Sequence, residues 1–188
     1  YVGEVVSVRR ELVTSKVLAA WPKVGEACVC PILEFVDEHL RDELLRPEGV
    51  LLPPSEWPAE TPRSKVCCND SEWYAICTAG GERNMFTEVA ESEIFRNQLG
   101  DLVLNGAMGV DKFKEVNGKM ERHLRFISNL TPSNSYMRKL SGDSFLLPQA
   151  SHLNMMVLGP DEFAWMDGED LQSCFNLFFL PPCWRGYF

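Results

Sequence analysis

Long apolar runs are missing from this chain of 188 residues. No stretch approaches the roughly 20 consecutive apolar residues that a membrane-spanning helix needs, and no basic, apolar and small-residue leader precedes the first domain. Internal repeats and low-complexity tracts are also absent. The hydrophobic share of 45% and the charged share of 24% are ordinary for a folded soluble protein. We therefore expect a soluble globular protein without a membrane partner.

Histidine is scarce, and the cysteines lack the spacing of a metal site. The three histidines stand far apart, and neither Cys28 with Cys30 nor Cys67 with Cys68 has the spacing typical of structural zinc. Seven cysteines is an odd number, so a complete disulfide framework cannot form. A reducing, intracellular setting is expected, in either the nucleus or the cytoplasm.

Net positive charge is lacking as well, since the formal net charge is -9. This argues against indiscriminate coating of nucleic acid, which depends on neutralising phosphates. The charge is unevenly distributed, however: residues 112–139 carry seven basic and two acidic side chains, whereas residues 140–188 carry one basic and six acidic. Such a pattern suits a site where cations hold phosphates and carboxylates hold metal ions. Chance clustering on solvated surfaces would give the same pattern.

Three segments before residue 100 have a readable pattern. Residues 32–46 place leucines at helical spacing, which predicts an amphipathic helix with its apolar stripe in the core. Residues 52–62 contain four prolines and predict a linker or an irregular surface crossing. Residues 71–81 are aromatic and branched before Gly80 and Gly81, which predicts a strand entering a turn.

The region around residues 102–130 predicts a β-hairpin with basic residues near its tip. Two apolar segments flank Asn117 and Gly118, a pair that is typical of tight hairpin turns. Leu124 and Phe126 alternate with Arg125, so the arginine should point away from the apolar face.

An arginine held on a strand can bind a triphosphate through two parallel hydrogen bonds. Lys112 or Lys114 on the preceding strand would bring a second cation to the same place. The alternative is a solvent-facing Arg125 without a ligand.

Asp170 follows a strand-like run near the end of the chain. A carboxylate at a strand end is a suitable ligand for Mg²⁺, and phosphoryl transfer by two such ions needs at least two converging carboxylates. A helix N-cap is the alternative interpretation of Asp170.

Three motifs in this order resemble the fingers and first palm motif of retroelement reverse transcriptases. They are RxxxNLxxxN from Arg125 to Asn134, LPxA at residues 147–150, and DLxxxFxxxxLP from Asp170 to Pro181. The resemblance covers about residues 102–188 and implies an RNA-directed DNA polymerase, a nucleotidyltransferase, from a mobile element. It implies that Arg125 contacts the incoming triphosphate together with Lys112, with Lys114 as the weaker match.

The resemblance also implies roles for three later residues. Asp170 would be the first Mg²⁺ ligand, and Leu171 would offer its backbone carbonyl to the metal. Phe175 would be the aromatic gate under the sugar of the nucleotide, where a bulky ring leaves no room for a 2′-hydroxyl. The partners implied are an RNA template, a DNA primer and deoxynucleotide triphosphates.

Two departures from the family pattern stand out. Asn129 occupies a position where reverse transcriptases commonly have aspartate, and the tyrosine-x-aspartate-aspartate motif does not occur in the 188 residues. Tyr1 at the start and the apolar run before Phe188 indicate an excerpt, which would need the remaining palm and thumb of the same polypeptide. We expect the chain alone to be inactive.

The expected fold is therefore α+β in two parts. Residues 1–99 form a mostly helical region whose role the sequence does not indicate. Residues 100–188 form an incomplete polymerase fingers and palm, truncated at the C-terminus, with a β-hairpin and a strand that ends in Asp170. One alternative is a degenerate, non-catalytic module that binds nucleic acid or protein, and another is an unrelated α+β domain.

Overall fold

The computed structural model describes residues 9–116, 118–139, 159–161, 163 and 176–188. The chain divides into two compact units, one of Tyr1–Arg138 with Ser173–Phe188 and the other of Lys139–Gln172. Almost all of the second unit lies outside the described residues. The first unit is mixed α and β, with one small antiparallel sheet and one small parallel sheet. Among the described residues, no helix combines the length and the apolar content that crossing a bilayer requires.

Most elements are short, apart from one helix and one hairpin. The strands are β1 (Arg9–Arg10), β2 (Cys30–Pro31), β3 (Gly106–Val116), β4 (Lys119–Asn129) and β5 (Phe178–Phe179). The α-helices are α1 (Thr14–Leu18), α2 (Glu38–Leu44), α3 (Asp70–Glu82) and α4 (Thr131–Asn134). Short 3-10 turns occupy Ile32–Glu34, Pro47–Val50, Pro54–Glu56, Glu91–Glu93 and Pro182–Trp184.

The predicted strand at residues 71–81 is wrong, because this segment belongs to helix α3. The Asn69 side chain caps the helix by accepting a hydrogen bond from the Glu72 backbone N–H at 2.9 Å. Ile76 and Gly80 are buried four residues apart, on the helix face that meets the core. Residue 80 is a glycine within the helix because the ring of Phe86 lies against it and leaves no room for a Cβ.

The predicted helix at residues 32–46 is confirmed only in its second half. Helix α2 begins after Asp37, whose carboxylate accepts a hydrogen bond from the Leu40 backbone N–H at 2.8 Å. The preceding 3-10 turn joins α2 through Arg41, which donates two hydrogen bonds to the Leu33 carbonyl. The apolar stripe is not core as predicted, since the Leu40 side chain is exposed.

The predicted hairpin is confirmed. Strands β3 and β4 pair antiparallel over their whole length, from Gly106 with Asn129 to Val116 with Lys119. The connection contains Gly118, whose φ of +76° favours glycine. Strand β1 pairs with the outer edge of β3, giving the sheet order β1-β3-β4. Residues on both sides of the predicted boundary at residue 99 therefore share one sheet.

The hydrophobic core lies between helices α1 and α3 and one face of this sheet. Its buried residues are Leu12, Val17, Ile76, Ala107 and Leu124. Four aromatic rings, those of Trp21, Trp73, Phe86 and Phe126, pack against it. Leu124 and Phe126 thus form the apolar side of β4, as predicted.

A second cluster of aromatic side chains fixes the proline-rich segment and the C-terminal segment. Trp57, from the proline-rich segment, contacts Phe95 and Tyr136 with ring centroids 5.5 and 5.4 Å apart. Tyr187 stacks on Phe95 at 5.2 Å. The predicted surface crossing at residues 52–62 is accordingly anchored by a half-buried tryptophan.

Candidate functional site

Basic side chains gather on the side of the three-stranded sheet that faces away from the core. Paired residues on neighbouring strands point to the same side, and the register Arg9 with Val110 and Val110 with Arg125 places both arginines there. Lys112 pairs with His123 two residues nearer the hairpin tip, diagonally beside Arg125. We call this side of the sheet the basic face. Both arginines are exposed and Lys112 is half-buried.

An open groove of about 650 Å³ lies on the basic face near the base of the hairpin. We call it the basic groove, and its lining residues are Arg9, Arg63, Ser64, Lys65, Cys67, Met108 and Asn129. Three of them are cations and none is a carboxylate. Within the described part of the chain, those three cationic side chains form no ion pair or hydrogen bond. A hollow of about 230 Å³ shares Arg9 and Lys65 with the groove and also borders Glu11.

The backbone of residues 64–67 is fixed against the start of β3. Ala107 accepts a hydrogen bond from the Cys67 N–H at 2.7 Å and donates one to the Lys65 carbonyl at 3.2 Å. Gly106 has no space for a Cβ, which would overlap Ser64 and the backbone of Lys65. The glycine therefore allows the cationic segment to approach the sheet closely.

Asn129 connects the end of β4 to the groove. Its side-chain amide donates a hydrogen bond to the Ser64 hydroxyl at 2.8 Å, and its carbonyl oxygen accepts one from the Thr131 hydroxyl at 2.7 Å. An ionised aspartate at this position could accept the hydrogen bond from Thr131, but it could not donate one to Ser64. Asn129 thus links the end of β4 to the segment at Ser64.

On the opposite side of the sheet, two arginines pair with one carboxylate. The Asp111 carboxylate accepts hydrogen bonds from Arg122 at 2.7 and 2.8 Å and from Arg10 at 3.0 Å. The hydrogen bond from Arg122 contributes most to holding the pKa of Asp111 below its ordinary value, and Arg10 adds to the effect. Arg9 and Arg125, on the basic face, have no such partner among the described residues.

The structure brings two of the predicted site residues together, Arg125 and Lys112. Lys114 pairs through its backbone with Glu121 on β4, and its side chain lies outside the described part. Asp170, Leu171 and Phe175 lie outside the described residues, as do the predicted strand before Asp170 and the LPxA motif. In the described ranges, no three His, Cys, Asp or Glu side chains converge as metal ligands.

Sequence reasoning missed Arg9, Arg63 and Lys65. A local signal existed, because two basic residues follow the proline-rich segment at 63 and 65 and two more stand at 9 and 10. Their convergence could not be predicted, since β1 and residues 65–67 reach β3 from positions some forty to one hundred residues away.

Comparison with protein-family models, with curated proteins and with solved structures gave no match to this chain.

Proposed function

We propose that this chain is the fingers and first palm segment of an RNA-directed DNA polymerase. In the parent protein, the polymerase would add deoxynucleotides to a DNA primer on an RNA template. The observation that carries the proposal is the β-hairpin, which places Arg125 and Lys112 on the same side of two paired strands, with Arg125 exposed and Lys112 half-buried. The sequence motifs around Arg125, Asp170 and Phe175 support the same function.

In this proposal the hairpin binds the triphosphate of the incoming nucleotide. The guanidinium of Arg125 has the planar geometry for two parallel hydrogen bonds to phosphate oxygens, and Lys112 adds a second positive charge. Backbone pairing of β3 with β4 fixes the positions from which both side chains extend, so less backbone entropy is lost when phosphate binds.

The proposed metal site rests on the sequence motif alone. Asp170 would bind Mg²⁺ with the Leu171 carbonyl, and Phe175 would exclude a 2′-hydroxyl. The described residues provide no converging carboxylates. When bound, Mg²⁺ would neutralise charge on the transferred phosphoryl group.

The binding step can be tested with the chain itself. We expect a fluorescent deoxynucleoside triphosphate to bind weakly in the presence of Mg²⁺, and Arg125→Gln or Lys112→Gln to weaken binding by about tenfold each. Lys16→Gln is the matched control, because Lys16 is exposed on α1 and lines no part of the basic face. Equal binding by Arg125→Gln and the wild type would contradict the proposal.

A second test distinguishes polymerase from a non-catalytic module, which Asn129 favours because it replaces the family's aspartate. The polymerase proposal expects a closely spaced aspartate pair on a hairpin in the coding sequence downstream of Phe188. Triphosphate binding by the chain, combined with a stop codon directly after Phe188, would favour the module.

A further inference from the structure

The basic groove is built by residues for which the polymerase proposal has no role. Arg9, Arg63 and Lys65 open on the same groove, and no carboxylate of the described residues lines it. The chain has 27 acidic side chains for 18 basic ones, so carboxylates to pair with are abundant. On the other side of the same sheet, a single aspartate pairs with two arginines. Arg9, Arg63 and Lys65 have no ion-pair partner among the described residues, so the groove is a cationic surface that attracts anions.

The groove is also held in shape before any ligand binds. The hydrogen bonds of Ala107 fix the backbone at Lys65 and Cys67, and the hydrogen bond between Asn129 and Ser64 closes the base of the groove. Side chains presented from a fixed backbone lose less conformational entropy on binding than those on a mobile loop.

The groove is continuous with the hairpin site through Arg9. Arg9 lines the groove and also shares a row across the sheet with Arg125, two strands away. Neighbouring strands lie about 4.8 Å apart, so the two arginines stand on strands separated by about 10 Å. Cations that extend from Lys112 to Arg63 need more than one phosphate, which favours a polyanion over a single nucleotide.

The lining residues indicate which part of a polyanion the groove would contact. In the described ranges no aromatic ring lines it, so these residues offer bases no surface on which to stack. The polar groups available are cations, a hydroxyl and an amide, which suit phosphate and sugar oxygens. A volume of about 650 Å³ has room for a short stretch of one strand.

We propose that the basic groove binds the sugar–phosphate backbone of a single nucleic-acid strand that continues from Arg125 past Arg9 to Arg63 and Lys65. The region before residue 100 thereby becomes part of the nucleic-acid surface. The inference requires neither a metal ion nor any residue beyond β4.

The test is fluorescence anisotropy with a labelled single-stranded oligonucleotide of about 12 nucleotides, as RNA and as DNA, over a series of salt concentrations. The plot of log K against log salt has a negative slope, and each lost phosphate contact makes it shallower by about 0.7 for single strands. The double variant Arg63→Gln/Lys65→Gln should therefore make it shallower by about 1.4. We expect its affinity to fall by at least about tenfold at low salt. The control Lys16→Gln/Lys23→Gln removes the same charge from exposed positions outside the groove.

A second readout locates the bound strand. Cys67 lines the groove and Cys183 is exposed elsewhere, while burial raises the pKa of the neighbouring Cys68 thiol and slows its reaction. A saturating oligonucleotide should slow alkylation of Cys67, measured by mass spectrometry, and leave Cys183 unchanged.

Three results would overturn the inference: equal loss of affinity in the control variant, unchanged alkylation of Cys67, or tighter binding of a duplex of the same length. RNA and DNA share the phosphodiester that the groove would contact, so comparable binding of both single strands supports it. Circular dichroism of each variant establishes that it is folded before binding is measured.

Discussion

Asp111 is the residue that ties β1 to both strands of the hairpin through Arg10 and Arg122. The hydrogen bond from Arg122, followed by that from Arg10, lowers the pKa of Asp111 from its ordinary value of 3.8. A carboxyl group whose pKa is lower in the folded state stabilises the fold above its ordinary pKa. That contribution is lost as the pH falls through the folded value.

We therefore expect the difference in unfolding free energy between the wild type and Asp111→Asn to be full at pH 7 and to shrink as the pH falls below about 4. Urea unfolding followed by circular dichroism from pH 7 to pH 2.5 measures it. Glu60→Gln is the control, because Glu60 is exposed and makes no contact with an arginine among the described residues. Parallel stability curves for the wild type and Asp111→Asn would mean that the two arginines contribute nothing through this carboxylate.

At the scale of single elements, the sequence predicts what depends on neighbours along the chain. The β3–β4 hairpin is predictable because its turn and its alternating pattern lie within thirty residues. The predicted start of α2 is wrong because Asp37, inside the predicted helix, is its N-cap. The pairing of β1 with β3 joins residues about one hundred positions apart, and no local pattern encodes it. The groove depends on that pairing, so sequence reasoning found the hairpin cations and missed the groove.

Helix α3 was predicted as a strand because Gly80 and Gly81 were interpreted as a turn. In the structure, a Cβ at Gly80 would clash with the Phe86 ring, whereas a Cβ at Gly81 would meet nothing within 4 Å. We expect Gly81→Ala to stabilise the protein by about 0.5 kcal/mol, because alanine favours helix over glycine. Gly80→Ala should destabilise it by about 1–3 kcal/mol through overpacking.

Urea unfolding of these two single-methyl variants gives the comparison, and each serves as the control for the other. A strand entering a turn would give no reason for opposite signs at adjacent glycines. Similar effects of the two substitutions would therefore contradict the helix.

In the first unit, the last thirteen residues pair and pack with segments from much earlier in the chain. Strand β5 pairs in parallel with β2, and the Phe95 N–H donates a hydrogen bond to the Gly186 carbonyl at 2.9 Å. The sequence interpretation used this segment only for the end of a motif, at Leu180 and Pro181. Its Tyr187 instead joins a cluster with Phe95, Trp57 and Tyr136, a packing that depends on contacts between residues 41 to 92 positions apart.

Substitution of Trp184 tests this long-range packing. It is 8% exposed, stacks on Phe188, and donates its indole N–H to the Leu44 carbonyl at 2.6 Å. Trp184→Ala should lower the unfolding free energy by about 3–5 kcal/mol, because it removes a large buried ring. Trp184→Phe keeps a ring and loses the hydrogen bond, at a cost of about 1 kcal/mol plus part of the lost packing.

Hydrogen exchange adds a local measurement to the unfolding curves. The Cys28 and Cys30 backbone N–H groups donate to the Asn176 and Leu177 carbonyls at 2.7 and 3.0 Å. If Trp184 holds the C-terminal segment in place, Trp184→Ala should speed exchange at these two amides more than at those of the β3–β4 ladder. Phe188→Ala, at a side chain 48% exposed, should change both readouts much less. Equal protection of Cys30 in the wild type and Trp184→Ala would show that β5 stays paired without the tryptophan, and that the aromatic cluster does not couple the two ends of the unit.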